Sequence, residues 1–454
     1  MKIVKFHTAS ATKRIAEMQR KLSFGAGAVT QDSRKKTIEV FGEPLSPLES
    51  VRRIVGDVRR DGDKAVFRYT KLLDGFELTE KNVRVSREEI AAAGREVSKS
   101  FLKAARNAIE RVRRFQEHSL EHDPPELSDG GRRLAVTLLP IRRVGVHVPG
   151  FSAVLPSSLI MTCVPAQVAG VKEIALCSPP NAWGRVCPET LACCGLLGID
   201  EVYRIGGAQA IAALAFGTAS VPKVEMVAGP GNIFTTLAKK EVFGDVAIDI
   251  LAGPSEVLVL ADDSARADVV AADLLAQAEH APAAAFLVTP SAALAKAVVN
   301  EVEKQLSGLS RGDRAAAVLE EYSLAVVTAT MEEAIDLAND LAPEHLEILT
   351  SESDAVLAKI RNAGTVFVGA WTPTAAGDYY AGPSHTLPTG GTAKFLSGLS
   401  ANTFLRRMSV VRYDQASLEQ DREDIVTLAE AEGLTAHAES VRIRFRKRDS
   451  GDAK

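Results

Sequence analysis

The sequence predicts an α/β protein with parallel sheets, and three observations support this fold class. From Arg142 onwards, short apolar runs alternate with helical stretches. Strands separated by helices need crossover connections, which is the arrangement of parallel sheets. The number of runs is sufficient for two sheets, and no repeat or low-complexity segment interrupts the pattern. The runs are RRVGVHVPG, VKEIALC, EVYRIGG, KVEMVAGP, EVLVLAD, AAFLVTP, SLAVVTA and GTVFVG.

The regions on either side of this alternating segment differ from it. Residues 1–45 are polar and mixed, which predicts an N-terminal arm rather than a domain. Ser46-Pro47-Leu48-Glu49 is a capping box with Pro at the first helical position, so a helix should begin there. Ser86-Arg87-Glu88-Glu89 is a second capping box, which predicts a long charged helical region to about His118. After about residue 398 the alternation stops, and a helical tail is expected over 399–454.

Composition excludes several classes of protein. The chain has 454 residues, of which 46% are hydrophobic and 25% charged, as is usual for a soluble protein of two or three domains. The net charge of −4 argues against a nucleic-acid partner. No apolar run long enough to cross a membrane and no secretory signal are evident, so we expect no membrane partner. Five cysteines between 163 and 194, without zinc-ribbon spacing, favour buried thiols and a cytoplasmic location.

The segment LAPEHLEI places Glu344 and His345 side by side between apolar residues. The simplest interpretation is a helix start, with Pro343 in the first turn and an acid near the positive end of the helix dipole. The alternative is a pair of groups that handle protons. The segment alone leaves both interpretations open.

Gly-rich strand ends predict ligand contacts. The dinucleotide fingerprint GxGxxG is absent, but Gly206-Gly207-Ala208-Gln209 and Gly229-Pro230-Gly231-Asn232 each follow an apolar run. Ligands bind at the carboxyl ends of parallel strands, so Gln209 and Asn232 are candidates for cofactor contacts. The alternative is a pair of tight turns whose amides are satisfied locally.

Possible metal ligands are spread along the second half of the chain. Gln277 and His280 are three residues apart at the end of a predicted helix, so their side chains share one face. Asp378 lies in a glycine-bounded loop that also carries an imidazole, and Glu432 and His437 lie in the tail. Each residue alone is weak evidence, because a lone histidine is more often structural than a ligand.

The motifs in their order resemble those of the histidinol dehydrogenase family. AGPSEVLVLAD is followed by LLAQAEH, APEHLE, AGDYYAGPSHTLPTGGTA and finally LTAH, and GGAQAIAALAFGT and VAGPGNIF are similar as well. The likeness extends from about residue 40 to about residue 445. It implies the NAD-dependent, zinc-dependent oxidation of L-histidinol to L-histidine through the aldehyde, at the end of histidine biosynthesis. It also implies a homodimer with shared active sites and one Zn²⁺ per subunit.

The resemblance further implies a fold. Two nucleotide-fold-like domains (incomplete Rossmann folds) with parallel sheets are expected, one inserted in the other, with an N-terminal arm and a small C-terminal helical domain. The expected ranges are 1–45 for the arm, 46–147 and 255–398 for the main domain with the metal and catalytic residues, 148–254 for the inserted domain with the NAD contacts, and 399–454 for a tail that contacts the neighbouring subunit.

The resemblance also assigns roles to residues of this sequence. The implied zinc ligands are Gln277, His280, Asp378 and His437. The implied catalytic pair is Glu344 and His345, with His345 as the base for the alcohol and Glu344 as the base for water. The implied substrate contacts are Ser255, Gln277, His280, His345, Asp378, Glu432 and His437. The implied cofactor contacts are Gln209, Asn232 and His147.

Three positions depart from the family pattern. The family usually has Tyr where this chain has His147, and the same segment often reads PGG where this chain has Gly150-Phe151. Many members have Asn where Ser384 stands. Such changes resemble relatives that oxidise other alcohols, such as the sulfopropanediol dehydrogenases. Glu432 favours an amino-bearing substrate instead, because an acid repels a sulfonate. A zinc hydrolase and a catalytically silent ligand-binding protein are the alternatives from other classes.

Overall fold

The structure is a computed structural model that describes residues 1–22, 31–150, 154–280 and 283–446. Its strands are β1 (Lys2–Lys5), β2 (Leu127–Asp129), β3 (Arg132–Pro140), β4 (Arg143–His147), β5 (Glu173–Cys177), β6 (Val202–Tyr203), β7 (Met226–Ala228), β8 (Ala247–Ile248), β9 (Ser255–Ala261), β10 (Ala283–Thr289), β11 (Ser323–Val327), β12 (His345–Leu349), β13 (Thr365–Val368) and β14 (Leu405–Arg412). Its helices are α1 (Ala9–Leu22), α2 (Gln31–Phe41), α3 (Pro47–Asp61), α4 (Asp63–Asp74), α5 (Arg87–Glu96), α6 (Lys99–Ser119), α7 (Pro156–Ala169), α8 (Pro188–Leu197), α9 (Gly207–Phe216), α10 (Ile233–Val242), α11 (Ala267–Ala278), α12 (Ala292–Leu306), α13 (Gly312–Tyr322), α14 (Met331–Leu341), α15 (Ser353–Leu357), α16 (Thr374–Tyr379), α17 (Gln415–Ala431) and α18 (Thr435–Arg442).

Six parallel strands form the larger sheet, in the order β1-β11-β10-β9-β12-β13. Alternate residues of β9 pack on opposite faces. Val257 and Val259 belong to the core that includes α11 and α12, whereas Leu258 and Leu260 belong to the core that includes α1 and α14. Because helices cover both faces, the strand must be apolar along its length, which explains the continuous run EVLVLA.

Five parallel strands form a second sheet, in the order β6-β5-β4-β7-β8. All of them lie between β1 and β9 in the sequence, so this sheet is inserted in the chain that builds the larger one. The eight apolar runs all contain strands of these two sheets. The predicted α/β fold class with two parallel sheets, one inserted in the other, is therefore confirmed.

Helices α3 and α4 pack against the five-stranded sheet. Ser46 caps α3 in the predicted capping box, and Ser86 caps α5 by accepting a hydrogen bond from the Glu89 amide. The apolar stripe of α3 (Val51, Ile54, Val55 and Val58) shares one core with α9, α10 and strand residues of the inserted sheet. Residues 47–74 and strand β4 thus belong with this sheet, which differs from the sequence-based range of 148–254.

The first residues of the expected N-terminal arm belong to the larger sheet. Strand β1 pairs with β11, with Lys2 opposite Leu324, and forms one edge of the sheet. Edge strands carry lysines readily, which is why KIVK gave no apolar signal. Residues 23–30 of the expected arm lie outside the described residues.

A second compact unit consists of Glu121–Pro140 and Leu405–Lys454. Antiparallel strands β14, β3 and β2 form its sheet, and α17 and α18 pack around Val426, Ala438 and Val441. The tail is therefore helical only in part, because its first strand pairs with β3, a segment distant in sequence. The charged end, residues 447–454, lies outside the described residues.

Two further expectations concern membrane-spanning segments and the cysteine thiols. Of the helices described, none combines the length and apolar character needed to span a membrane. All five cysteines are free thiols; Cys163, Cys177, Cys193 and Cys194 are buried, and Cys187 is half-buried. The predicted burial of the thiols thus holds for four of the five.

Candidate active site

Glu344 and His345 lie at the start of a strand. Helix α14 ends at Leu341, and Ala342 adopts a left-handed φ of 48° that no helix continues through. After Pro343 the chain extends, and β12 begins at His345, between β9 and β13. The helix-start interpretation of LAPEHLEI is therefore wrong. The left-handed residue Ala342 ends α14, and the segment that follows forms a strand paired on both sides instead of a new helix.

The Glu344 carboxylate is buried and held at one oxygen. Ser255 donates its hydroxyl hydrogen to Oε2 at 2.6 Å, and the Glu256 backbone amide donates to the same oxygen at 2.8 Å. The Gln277 amide group donates in turn to the Ser255 hydroxyl at 2.7 Å. A chain of hydrogen bonds thus joins α11, β9 and the start of β12. Ser255 and Gln277 were singled out from the sequence, whereas Glu256 was not.

The His345 ring is buried, and its tautomer follows from its partners. Nδ1 lies 3.0 Å from the backbone carbonyl oxygen of Glu256, so Nδ1 must carry the hydrogen and donate it. Nε2 is buried, has no hydrogen-bond partner among the described residues, and lies 3.7 Å from Asp378 Oδ1. In the neutral ring Nε2 therefore presents a free lone pair beside a carboxylate.

The protonation behaviour of the two groups follows from their burial. Burial raises the pKa of Glu344 to about 8, although its hydrogen bonds from Ser255 and Glu256 oppose the shift. Burial also lowers the pKa of His345, which keeps the imidazole neutral at physiological pH. Both groups are thereby suited to accept protons near neutral to mildly alkaline pH, as general bases do.

Gln277 and His280 lie where α11 ends, as expected from their spacing. Gln277 is buried in the last turn, and His280 follows the helix, its amide donating to the Gln277 carbonyl at 3.1 Å. Burial lowers the pKa of His280, while the nearby Asp378 carboxylate opposes the shift. The structure therefore brings His280 and Asp378 of the expected ligand set near each other.

Asp378 is fixed by a histidine that the sequence analysis left without a role. His385 Nδ1 lies 2.9 Å from the backbone oxygen of Asp378 and donates to it, and His385 Nε2 lies 3.0 Å from the Ser158 hydroxyl. Ser384, where the family often has Asn, is buried, and its hydroxyl accepts the Thr386 amide. Asp378 therefore lies in α16 and not in a loop as expected, and the segment after it is tied to α7 through Ser158.

Two neighbouring carboxyls, the buried Glu347 and the half-buried Asp273, support the same region and were also missed. Glu347 Oε1 accepts hydrogen bonds from the amide and the hydroxyl of Thr374, at 2.8 and 2.6 Å, where α16 begins. Burial raises the pKa of Glu347, and the Asp273 carboxyl of α11 lies close enough to raise it further by charge repulsion. This pair connects the elements that carry Gln277, His345 and Asp378.

The candidate cofactor contacts lie at the carboxyl ends of strands in the inserted sheet. His147 ends β4, is buried, and contacts the Pro230 carbonyl oxygen through Nδ1 at 3.0 Å. Gln209, on α9, donates to Asp74 at 3.2 Å, and its buried Oε1 has no partner among the described residues. The Asn232 side chain caps α10 by accepting two backbone amides. Asn232 thus has the local turn role that the sequence left open.

Glu432 and His437 belong to the second compact unit. Glu432 lies at the end of α17 and His437 on α18, and both side chains are exposed. In the part of the chain that the structure describes, no three His, Cys, Asp or Glu side chains form a metal-binding cluster. Of the expected ligands, the structure therefore shows Gln277, His280 and Asp378 in one unit and His437 in the other.

The comparisons with known proteins decide the family. A profile of histidinol dehydrogenases matches residues 44–445. A histidinol dehydrogenase of Rhodopirellula baltica is 46% identical over 437 residues, covering 96% of this chain and 95% of the relative. The chain belongs to the histidinol dehydrogenase family. The histidinol dehydrogenase of Moorella thermoacetica is 49% identical over 395 residues, covering 87% of this chain and 93% of the relative.

Structural similarity agrees with the family assignment. The crystal structure of histidinol dehydrogenase from Elizabethkingia anophelis superposes with a TM-score of 0.84 at 36% identity, covering 91% of this chain and 96% of that one. The family predicted from the sequence motifs is thus confirmed. As a histidinol dehydrogenase family member over nearly its whole length, the protein is an oxidoreductase.

Proposed function

We propose that this protein oxidises L-histidinol to L-histidine through histidinal, in two NAD-dependent steps that complete histidine biosynthesis in the cytoplasm. The observation that carries the proposal is the buried Glu344–His345 pair, in which Glu344 Oε2 and His345 Nδ1 are 3.6 Å apart. An alcohol oxidation and an aldehyde hydration each need a proton acceptor, and this pair offers two adjacent ones. Membership of the family supports histidinol as the substrate.

His345 is the proposed base of the alcohol step. The Glu256 carbonyl fixes the hydrogen on Nδ1, so Nε2 is the atom that accepts the hydroxyl proton. The lowered pKa of His345 keeps this nitrogen unprotonated before the substrate arrives. The resulting imidazolium lies beside Asp378, whose carboxylate stabilises its charge.

Glu344 is the proposed base of the hydration step. Both hydrogen bonds to its carboxylate go to Oε2, so we assign the water contact to Oε1. Glu344 takes a proton from water as the oxygen attacks the aldehyde carbon. His345 gives the proton from the alcohol step to the aldehyde oxygen as the hydrate forms, and the neutral ring then accepts a hydroxyl proton of the hydrate in the second oxidation. Ser255 and the Glu256 amide hold the carboxylate still through both steps.

The donor atoms near His345 fit a divalent metal ion such as zinc. Gln277 donates through its amide nitrogen to Ser255, which leaves its oxygen for a metal, and His280 and Asp378 add a neutral imidazole and a carboxylate. These three residues leave one position of a tetrahedral zinc site for a further ligand. We propose His437 of the partner subunit as that ligand, in a homodimer with shared sites. Bound zinc would mainly orient the substrate.

The inserted sheet is the proposed NAD site, and bound NAD supplies the hydride acceptor. Gln209 Oε1 is a buried acceptor without a partner among the described residues, which fits a contact to the cofactor. His147 stands where relatives have Tyr, and its buried Nε2 likewise has no partner there. We assign both residues, with Asn232, to the cofactor-binding surface.

Substrate identity has a direct test. Purified protein is incubated with NAD and, in turn, L-histidinol, imidazolyl propanol or dihydroxypropanesulfonate, and NADH and acid product are counted. Two NADH per histidine are expected, with poor turnover of imidazolyl propanol because Glu432 then lacks a cationic partner. Losing such a partner costs about 2–5 kcal/mol in a desolvated site. Preference for the sulfonate, or product without NADH, would contradict the proposal.

A further inference from the structure

We propose that Glu256 is the positioning residue of the catalytic pair, and that the turn Thr389-Gly390-Gly391 anchors it. The proposal rests on the catalytic roles of Glu344 and His345 given above. It concerns residues to which neither the sequence motifs nor the family resemblance gave a role. Three contacts carry it: two through the backbone of Glu256 and one through its side chain.

The backbone of Glu256 holds both catalytic side chains. Its amide donates to Glu344 Oε2 at 2.8 Å, and its carbonyl oxygen accepts from His345 Nδ1 at 3.0 Å. A shift of this one peptide segment therefore has two effects. It moves the Glu344 carboxylate, and it removes the hydrogen bond that keeps the hydrogen of His345 on Nδ1. Catalytic geometry tolerates little displacement, since a shift of about 1 Å costs roughly 10²-fold in rate.

The side chain of Glu256 fixes that segment from the other direction. Its Oε1 accepts the Gly390 amide at 2.8 Å, and the Thr389 hydroxyl oxygen accepts the Gly253 amide at 2.5 Å. Gly390 and Gly391 have φ values of 61° and 78°, a left-handed pair that favours glycine. The turn thus contacts the segment entering β9 at two points, three residues apart.

The environment of the Glu256 carboxyl suits an anchor. The group is buried; burial and the Glu344 carboxyl raise its pKa to about 8, while the Gly390, Gly391 and Glu344 amides oppose the shift. A cavity lies beside the Glu256 carboxyl, and the other charged residues that line it are Asp340 and Lys394. Near neutral pH the side chain is then largely a neutral acid, whose carbonyl oxygen accepts amide hydrogens.

The cavity beside this contact measures ≈ 140 Å³ and is lined by Glu256, Pro343, Gly390, Gly391 and Lys394 among others. A space of this size holds a few water molecules, each occupying about 30 Å³ in the liquid. The cavity therefore has space for a substituted side chain at position 256. A backbone amide that no longer donates to the Glu256 carboxyl is then able to donate to water in the cavity. The fold is thus expected to tolerate substitutions that disturb the anchor.

The test compares Glu256→Gln, Glu256→Leu and Thr389→Val with wild type. Gln keeps an oxygen that accepts the Gly390 amide, so kcat should stay within about threefold of wild type. Leu removes the acceptor, so kcat should fall about 10–10²-fold in both half-reactions, with KM changed less than about threefold. Thr389→Val should lower kcat about threefold or more. Thr328→Val, at the end of β11, is the matched control and should leave kcat unchanged.

The control for folding is the melting temperature, together with metal content. If Glu256→Leu does not fold, Thr389→Val carries the test. A folded, metal-loaded Glu256→Leu with wild-type kcat, or a Glu256→Gln that loses as much activity as Leu, overturns the proposal. If the Leu variant does not fold, a Thr389→Val variant with the same kcat as the Thr328→Val control also overturns the proposal.

A second readout needs no turnover. In protein labelled with ¹⁵N-histidine, the His345 resonance, identified by its loss in His345→Ala, should report hydrogen on Nδ1. In the Leu variant the ring should show mixed tautomers. If wild type makes no NADH but the tautomer changes, the proposed function fails and the positioning inference stands. If wild type is active and neither kcat nor tautomer changes, the inference alone fails.

Discussion

Nε2 of His345 lies 3.7 Å from Oδ1 of Asp378, and no described residue forms a hydrogen bond to that nitrogen. The nitrogen that we propose as the acceptor of the substrate proton therefore lies beside a candidate metal ligand. The proposed base and a proposed metal ligand thus lie side by side. The predictions below separate the groups that meet at this point.

Removing the two bases should have different effects. His345→Ala should slow both histidinol and histidinal oxidation, because each hydride transfer needs a hydroxyl proton removed. Glu344→Gln should slow mainly histidinal oxidation, because only that half requires water attack. Loss of a general base costs about 10²–10⁴-fold. Single-turnover NADH formation from each substrate measures the two halves, and equal, small effects of both changes would falsify the assignment.

The aldehyde half should depend on pH through Glu344. Burial raises its pKa to about 8, and only the ionised carboxylate accepts a proton from water. The rate of histidinal oxidation should therefore rise as pH increases through about 8. The rise should be absent in Glu344→Gln, measured over the same range with saturating NAD. A wild-type rate that falls over this range would show that the acid form is the active one.

Glu347 should make stability depend on pH. Burial and the nearby Asp273 carboxyl raise the pKa of Glu347 from 4.5 to about 8. Because the folded pKa is the higher one, its stabilising contribution is complete below about 4.5 and is lost as pH rises through about 8. Glu347→Gln imitates the protonated form, so its free energy of unfolding relative to wild type should increase from about pH 5 to about pH 8. Urea unfolding of both proteins measures this, with exposed Glu303→Gln as the control. A constant difference would mean that Glu347 does not change its protonation on folding in this range.

Metal removal should abolish activity reversibly. Chelation should stop NADH formation, and added zinc should restore it, because Gln277, His280 and Asp378 supply oxygen and nitrogen ligands. Asp378→Asn should bind the ion less tightly and should need more zinc for the same activity. Metal analysis of the dialysed protein is the control. Full turnover by a preparation shown to be metal-free excludes this role.

Shared sites predict complementation between inactive variants. His345→Ala and His437→Ala, denatured and refolded together, should form mixed dimers with one doubly damaged site and one intact site. Random pairing makes half of the dimers mixed, so activity should return to at most about a quarter of wild type. Each variant refolded alone is the control. If exchange is demonstrated but the mixture stays inactive, each chain builds its own site.

The strands that the sequence predicted were those whose signal is local. The eight apolar runs were sufficient to predict eight strands of the two sheets, because a parallel strand covered on both faces must be apolar throughout. Strand β12 was missed because Pro343, Glu344 and His345 imitate a helix start, and only pairing with β9 and β13 shows otherwise. Strand β14 was missed because its partner, β3, is distant in sequence.

The candidate site shows the same division. Gln277 and His280 were grouped by helical spacing. Asp378 and His345 were noted as candidates from their own segments, but only the family resemblance placed them in one site. Glu256 was missed because it acts through its amide and carbonyl, which every residue possesses. Its side chain, at the head of the run EVLVLA, looked like an ordinary strand beginning.

The position of His345 at the head of a strand with neighbours on both sides has a consequence for thermal behaviour. Loops open by small local fluctuations, whereas the amides of an internal strand exchange with solvent only when the sheet itself separates. The amides of β12 should accordingly be among the slowest to exchange with deuterium. Heat inactivation should then follow the cooperative melting of the six-stranded sheet, with no earlier loss of activity from a loosening active-site loop.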